Sequence, residues 1–237
     1  LLDALNTFIH WVEQLPYASI DGIWLYQLEV LGLYLSGGLV FYYFANRGLK
    51  NLLICLFSIL LLGVYHVSMS WVDRPLDSIV FYNVRGCPAV HCIDNNGNSR
   101  IVYGDSLSDK RQLYRVATNY WNHHQLLSPL EVTADYQDTA LCCREQILSY
   151  HGQRICMVTD HRWRNKSAAT PLYIDYLYLC KGYNGHLKEL RLLFAPECII
   201  LDASLSEHRK QLFEEECKQS GLRFISLSEK GSVRFLL

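Results

Sequence analysis

Nine histidines and nine cysteines are the residues best suited to chemistry in this chain. A zinc or iron centre needs His, Cys, Asp or Glu ligands that a loop or helix brings to one point. His123 and His124 are adjacent, so on a helix their side chains diverge, and Asp160-His161 is a lone pair. There is no His-x-His, no HExxH and no CxxC, and equally no GxGxxG, phosphate loop or GxSxG. The histidines therefore read mainly as surface and satisfied core residues. Eight cysteines follow Trp71, namely Cys87, Cys92, Cys142, Cys143, Cys156, Cys180, Cys198 and Cys217. An even count permits disulfides in an oxidising compartment. Yet Cys142, Cys156, Cys180 and Cys198 sit in apolar strand contexts, where a free thiol acts as a small hydrophobe. A catalytic thiol needs a basic neighbour, which Arg144 supplies to Cys143.

Two further features carry charge where it matters. The run His161-Arg162-Trp163-Arg164-Asn165-Lys166 interleaves cations with an indole, a composition that holds single-stranded nucleic acid, so Arg162, Arg164 and Lys166 are candidate DNA contacts. The same composition also suits an ordinary solvated loop. Glu29 stands alone in an otherwise uncharged apolar run, where a carboxylate is costly in lipid and must face protein or water. It either lines a polar path or sits within reach of the interface and snorkels.

The elements that position these residues follow from the distribution of charge. The 237 residues are 50% apolar and 19% charged, which excludes a disordered or low-complexity chain. A net charge of −1 gives no global attraction to nucleic acid. Residues 1–72, however, hold only two basic residues, Arg47 and Lys50, and four acidic ones. The first third is written for lipid.

Residues 23–45 and the run from about 51 to 69 each reach the roughly 20 apolar residues that cross a bilayer as a helix. Tyrosines and Trp71 cluster partly near their ends, where amphipathic rings favour the interface. Gly37-Gly38 permits close helix packing or a kink. Arg47 and Lys50 lie together between the spans, so the positive-inside tendency puts that loop in the cytoplasm and both flanks on the other side. Residues 1–15 place Leu2, Leu5, Ile9 and Val12 at helical spacing before Pro16, an amphipathic helix lying in the interface or against other helices. With no basic leader ahead of it and Leu at position 1, the chain is expected to be the rear part of a longer membrane protein.

From residue 73 to 237 the pattern changes to one soluble α/β domain. Strands are expected at Ile79–Val84, Ala89–Asp94 and Arg100–Gly104, with an Asn96-Gly97 hairpin turn between the last two. A helix follows from Ser106 to about Leu127. Further strands are expected at Leu130–Tyr136, Ala140–Ser149, Arg154–Thr159, Asp175–Leu179, Cys198–Asp202, Leu222–Leu227 and Ser232–Leu237. Helices are expected over Gly185–Phe194, ended by Pro196, and over Glu207–Ser220, capped by Ser206. This order makes a layered sandwich with sheets inside and helices outside.

Taken in order, these pieces resemble the C-terminal part of ComEC-type competence proteins, the bacterial inner-membrane channels for DNA uptake. That family's last membrane helices follow an amphipathic helix ending in Leu-Pro, matched by Leu15-Pro16. The domain that follows there resembles the metallo-β-lactamase αββα fold and opens on a segment like FLDVGQGDAILI, whose place is taken here by Val80 to Val90. A strand ending in Asp-Gly is similar to Ile101–Asp105, and the family tail is similar to Ile199–Ser204, the helix bearing Cys217, and Phe224 to Gly231 before a last apolar strand. Catalytic members hold two metals in a His-x-His-x-Asp-His loop, and the corresponding stretch here is Cys180-Lys181-Gly182-Tyr183-Asn184-Gly185-His186-Leu187, with His186 its only imidazole.

The resemblance implies two transmembrane helices and an interfacial helix, followed by a degenerate metallo-β-lactamase-like domain. It implies a multi-pass inner-membrane protein with that domain on the periplasmic side. Its partners would be single-stranded DNA, the bilayer, and upstream membrane helices of the same protein. Without convergent ligands no activated hydroxide forms, so no cofactor and no catalysis are expected. The domain would guide DNA or scaffold the channel. The alternatives are a metal-dependent phosphodiesterase or nuclease using His151, Asp160, His161 and His186, and a structural envelope protein.

Overall fold

A computed structural model describes residues 24–104, 110–132 and 135–237, together with Asp3, Asn6 and Thr7. The expected interfacial helix over residues 1–15 lies outside the described residues, except for those three positions, which are helical. The chain divides into two compact units, residues 1–73 with 122–125, and residues 74–121 with 126–237.

In the first unit, helix α1 spans Gln27–Ala45 and helix α2 spans Leu49–Val72, with Gly48 as the extended N-cap of α2. Both are long and apolar enough to cross a membrane. At about 1.5 Å per residue they reach roughly 28 and 36 Å, against about 30 Å of hydrocarbon. Three of their serine hydroxyls are satisfied within the helix: Ser36 donates to the Leu33 carbonyl, Ser58 to Cys55 and Ser68 to Val64. Such back-bonding is what a lipid solvent requires of polar side chains. Leu28, Leu31, Tyr34, Phe41, Phe44, Phe57 and Leu60 are all exposed. The close approach between the helices falls at Gly32, where an added Cβ would lie 2.3 Å from the Leu62 side chain. The Gly37-Gly38 pair is not that contact, since a Cβ at either would meet open space.

The second unit is built from two sheets. The first runs β12-β1-β2-β3-β4, with β1 Ser78–Phe81, β2 Ala89–Ile93, β3 Ser99–Tyr103, β4 Leu130–Val132 and β12 Val233–Leu236. The second runs β11-β10-β9-β8-β7-β6-β5, with β5 Tyr136–Gln137, β6 Leu141–Arg144, β7 Ile147–Tyr150, β8 Gln153–Val158, β9 Leu172–Leu179, β10 Phe194–Leu201 and β11 Arg223–Ser226. Strands β8 to β11 are mutually parallel. Parallel strands need crossovers, supplied by α4 (Leu187–Arg191) and α5 (Glu207–Ser220), while α3 (Lys110–His123) links the parallel pair β3 and β4. A single turn, α6 (Leu227–Lys230), precedes β12.

Three apolar layers hold these elements. Ile79, Phe81, Val90 and Val102 of the first sheet meet Leu148, Ile155, Met157, Tyr178 and Ile200 of the second. Leu113, Ala117 and Trp121 of α3 cover the outer face of the first sheet, against Val80, Ile93 and Ile101. Leu187, Leu190, Phe213 and Cys217 cover the outer face of the second, against Val158, Leu177, Ile199 and Leu201. The result is a four-layer α/β/β/α sandwich. Strands covered on both faces lose the apolar-polar alternation of half-exposed strands, which is why Ile199-Ile200-Leu201 is a continuous buried run.

Several boundaries differ from expectation. The stretch Ala140–Ser149 is a hairpin, β6 and β7, turned by Glu145 and Gln146 with φ of 48° and 69°. Leu130–Tyr136 divides between the two sheets. The helix expected over Gly185–Phe194 is only Leu187–Arg191, because Phe194, Ala195 and Pro196 join β10. Pro196 is tolerated there because the pairing of β10 with β11 begins only at Cys198. The described part of the helix expected from Ser106 begins at Lys110 and ends at His123, residues 105–109 lying outside the described residues.

Candidate functional site

In open α/β structures, ligands bind in the crevice beyond the carboxyl ends of the parallel strands. Here that end carries a cleft of about 620 Å³. Its walls come from the loop after β1 (Arg85, Gly86), the loop after β9 (Lys181 to Asn184), the loop after β10 (Ser204 to Ser206), Arg209 of α5 and Gln112 of α3.

These loops are fixed by a chain of short polar contacts. Asp202, 1% exposed at the end of β10, accepts the Tyr178 hydroxyl at 2.5 Å and the Ser204 N–H at 2.9 Å. Burial pushes its carboxyl above the usual carboxylate value, although hydrogen bonds from Tyr178 and Ser204 oppose the shift. The turn held by Asp202 presents Ser204, whose Oγ accepts the Gly86 N–H at 2.6 Å and so ties the two sheets together at the rim. Ser206 caps α5 by accepting the Arg209 N–H. Arg209 Nη2 donates back to the Gly185 carbonyl at 2.6 Å and to the Tyr183 carbonyl at 3.3 Å, and its guanidinium lies 4.8 Å from the Phe213 ring centroid. Gly182 has φ of 120°, and a Cβ there would lie 2.2 Å from the Thr159 carbonyl oxygen, so only glycine fits.

Among the described residues, the cleft lining includes three cations, Arg85, Lys181 and Arg209, and no carboxylate or imidazole. Among the described residues neither Arg85 nor Lys181 has an ion-pair partner, and both are exposed. Arg209 is bonded to neutral carbonyls, which leave its charge uncompensated.

The basic loop is arranged differently. Arg162 makes a fork with Asp160, with Nε 2.9 Å and Nη2 2.8 Å from Oδ2. Burial raises the Asp160 carboxyl, but the hydrogen bonds from Arg162 outweigh it and hold the group below its usual range. Arg164 Nε lies 3.9 Å from Glu189, and Lys166 Nζ lies 5.4 Å from the Trp163 ring centroid. Trp163 itself packs edge-on against Phe194 at 5.2 Å and joins the outer core. Each of the three cations thus already has an intramolecular neighbour.

The imidazoles and carboxylates weighed as metal ligands are dispersed. His151 Nε2 is 4.0 Å from Asp77, and the His161 ring centroid lies 6.0 Å from that of Tyr183. His186 Nδ1 meets Glu216 at 2.6 Å, and the other oxygen of Glu216 accepts the Leu187 N–H, so both serve the start of α4. Cys180 is fully buried, and burial together with Asp202 pushes its thiol well above the usual value. Among the described residues, no three His, Cys, Asp or Glu side chains gather as a metal centre would need. The two-metal loop implied by the metallo-β-lactamase likeness does not fit the residues present. Eight of the nine cysteines are buried, and Cys142 is partly exposed.

Within the first unit, Glu29 is 3% exposed. Its Oε2 accepts the N–H of Tyr26, the N-cap of α1, and its Oε1 meets His66 Nδ1 of α2 at 2.7 Å. The Tyr26 hydroxyl in turn donates to Asp73 at 2.6 Å.

These features define a chain with two helices long and apolar enough to cross a membrane and an α/β/β/α domain whose strand ends form a cationic cleft. The sequence of residues 79–237 matches the family described as the ComEC C-terminal domain, and the chain belongs to that family, a ComEC-type protein of competence and DNA uptake. No curated protein and no solved structure matches the chain.

Proposed function

We propose that this chain is the C-terminal part of a ComEC-type channel passing single-stranded DNA across the bacterial inner membrane, and that its α/β domain guides the strand or scaffolds the channel without hydrolysing it. The supporting observation is the fate of His186. It occupies the loop where catalytic relatives are expected to gather metal ligands, and it is instead paired with Glu216 at the start of α4. The rest of that loop offers Lys181 and Asn184 to the cleft. Hydrolysis of a phosphodiester at neutral pH calls for a strong nucleophile such as metal-bound hydroxide, and the described residues of the cleft supply cations and amides suited to holding the strand. The four-layer architecture is consistent with a degenerate metallo-β-lactamase-like domain. The cations between α1 and α2, Arg47 and Lys50, favour a cytoplasmic hairpin and a periplasmic domain.

The experiment is DNA uptake by cells carrying the full protein with the cleft cations Arg85 and Lys181 and the loop cations Arg162, Arg164 and Lys166 all reversed to glutamate. A domain that guides DNA loses uptake with normal membrane abundance. Unchanged uptake would favour a purely structural envelope role.

A further inference from the structure

We infer that the cleft at the strand ends is a metal-free phosphodiester site, in which Arg85 and Lys181 clamp the backbone of single-stranded DNA. The inference rests on the reading that this protein handles DNA, and it moves the principal contact away from the Arg162–Lys166 loop.

The argument is electrostatic and geometric. A cation draws a phosphate in proportion to the charge it has left, and counterion release rewards each phosphate it neutralises. In the loop, Arg162 is forked onto Asp160, Arg164 faces Glu189, and Lys166 lies over Trp163. In the cleft, Arg85 and Lys181 are exposed and, among the described residues, in no ion pair, and Arg209 is held by carbonyls. Two described acids of the adjoining loop are otherwise engaged: Asp202 is buried against Tyr178, and Glu207 lies 3.0 Å from Lys210. Arg85 follows β1 of one sheet and Lys181 follows β9 of the other, so the two cations enter the cleft from opposite layers. The bond between Gly86 N–H and Ser204 Oγ fixes the two rims relative to each other, which spares the clamp part of the cost of ordering. A volume of about 620 Å³ suits a nucleotide unit better than a lone phosphate ion, and the Gln112 and Asn184 amides are placed to meet sugar or base edges.

The test uses the full chain in phosphatidylcholine nanodiscs and a fluorescently labelled oligothymidylate, with anisotropy read across a salt series. Three proteins are compared: wild type, Arg85→Ala with Lys181→Ala, and Arg162→Ala with Arg164→Ala and Lys166→Ala. Both cleft side chains are exposed, so their truncation leaves the fold intact, and a thermal melt confirms it. The cleft variant is expected to bind at least about tenfold more weakly. Its salt slope should fall by about 1.4, at roughly 0.7 per phosphate on a single strand. The loop variant is expected to stay within about twofold of wild type, because Asp160 and Glu189 beside Arg162 and Arg164 offset their charge at a phosphate and leave Lys166 as a single contact. If the cleft variant binds like wild type while the loop variant loses binding, the cleft assignment is overturned and the DNA-handling reading survives. If wild type binds inorganic phosphate but no oligothymidylate, or neither, both fall together.

Discussion

Glu29 and His66 meet at 2.7 Å, carboxylate against imidazole, across the two apolar helices. Glu29 stands in the first turn of α1, where its other oxygen takes the N–H of Tyr26 and where a negative charge complements the helix dipole. One side chain therefore caps a helix and joins it to its neighbour. Replacing it with leucine, Glu29→Leu, is expected to destabilise the helix pair by about 1–3 kcal/mol, from a lost cap and a lost interhelical contact. Glu29→Gln, which can still accept the Tyr26 N–H, should lose less. Thermal unfolding in nanodiscs separates the two, and equal losses would show that charge alone matters.

A second prediction concerns acid. His91 is fully buried, its Nδ1 at 2.7 Å from the Tyr82 hydroxyl, which accepts the Trp121 indole N–H at 2.9 Å. Burial lowers its pKa from 6.5 to about 3. Between those values the unfolded chain binds a proton that the folded chain refuses, so stability falls as pH falls through that window. The contribution is roughly 1.4 kcal/mol per pH unit. Denaturant midpoints measured from neutral pH downward should show this slope in the wild type, and a shallower one by about that amount in His91→Gln.

Gly182→Ala places a methyl against the Thr159 carbonyl in a left-handed backbone. Such strain costs on the order of 1–3 kcal/mol, and the neighbouring backbone must also move. A lowered melting temperature together with weaker oligothymidylate binding is expected, since the same loop carries Lys181. Normal stability would mean that the loop adopts another path.

The thiols give a fourth. Burial raises Cys92, Cys156 and Cys217 to about 12, and eight of the nine cysteines are buried. Thiolate, not thiol, reacts with maleimide. The native protein should therefore label at Cys142, with all nine cysteines reacting once it is unfolded without reductant. Fewer than nine under those conditions would reveal a disulfide.

The two long apolar helices, the strand-rich domain and the helix Glu207–Ser220 were all legible in the sequence, because length, apolar content and a Ser206 cap are local signals. The β6–β7 turn was not, because Glu145 and Gln146 adopt left-handed backbone without the usual Gly or Asn. Phe194-Ala195-Pro196 reads as a helix end, yet pairing with β9 recruits it into β10. The cleft escaped for a different reason. Arg85, Lys181 and Arg209 come from three distant segments, and no spacing links them. The usable signal lies in the residues that follow buried parallel strands, Lys181-Gly182 after β9 and Asp202 to Ser206 after β10. The Arg162–Lys166 run drew notice by composition, which does not record that Asp160 and Glu189 sit beside its cations.

The most direct test of a domain that holds DNA without cutting it is a cleavage assay on the full chain in nanodiscs. Labelled single-stranded DNA is supplied with zinc or manganese, and bound metal is quantified on the same sample. The account predicts DNA bound but intact, with no stoichiometric metal retained. Stoichiometric metal together with cleavage that is lost in His151→Ala, His161→Ala or His186→Ala would contradict it and make the protein a nuclease.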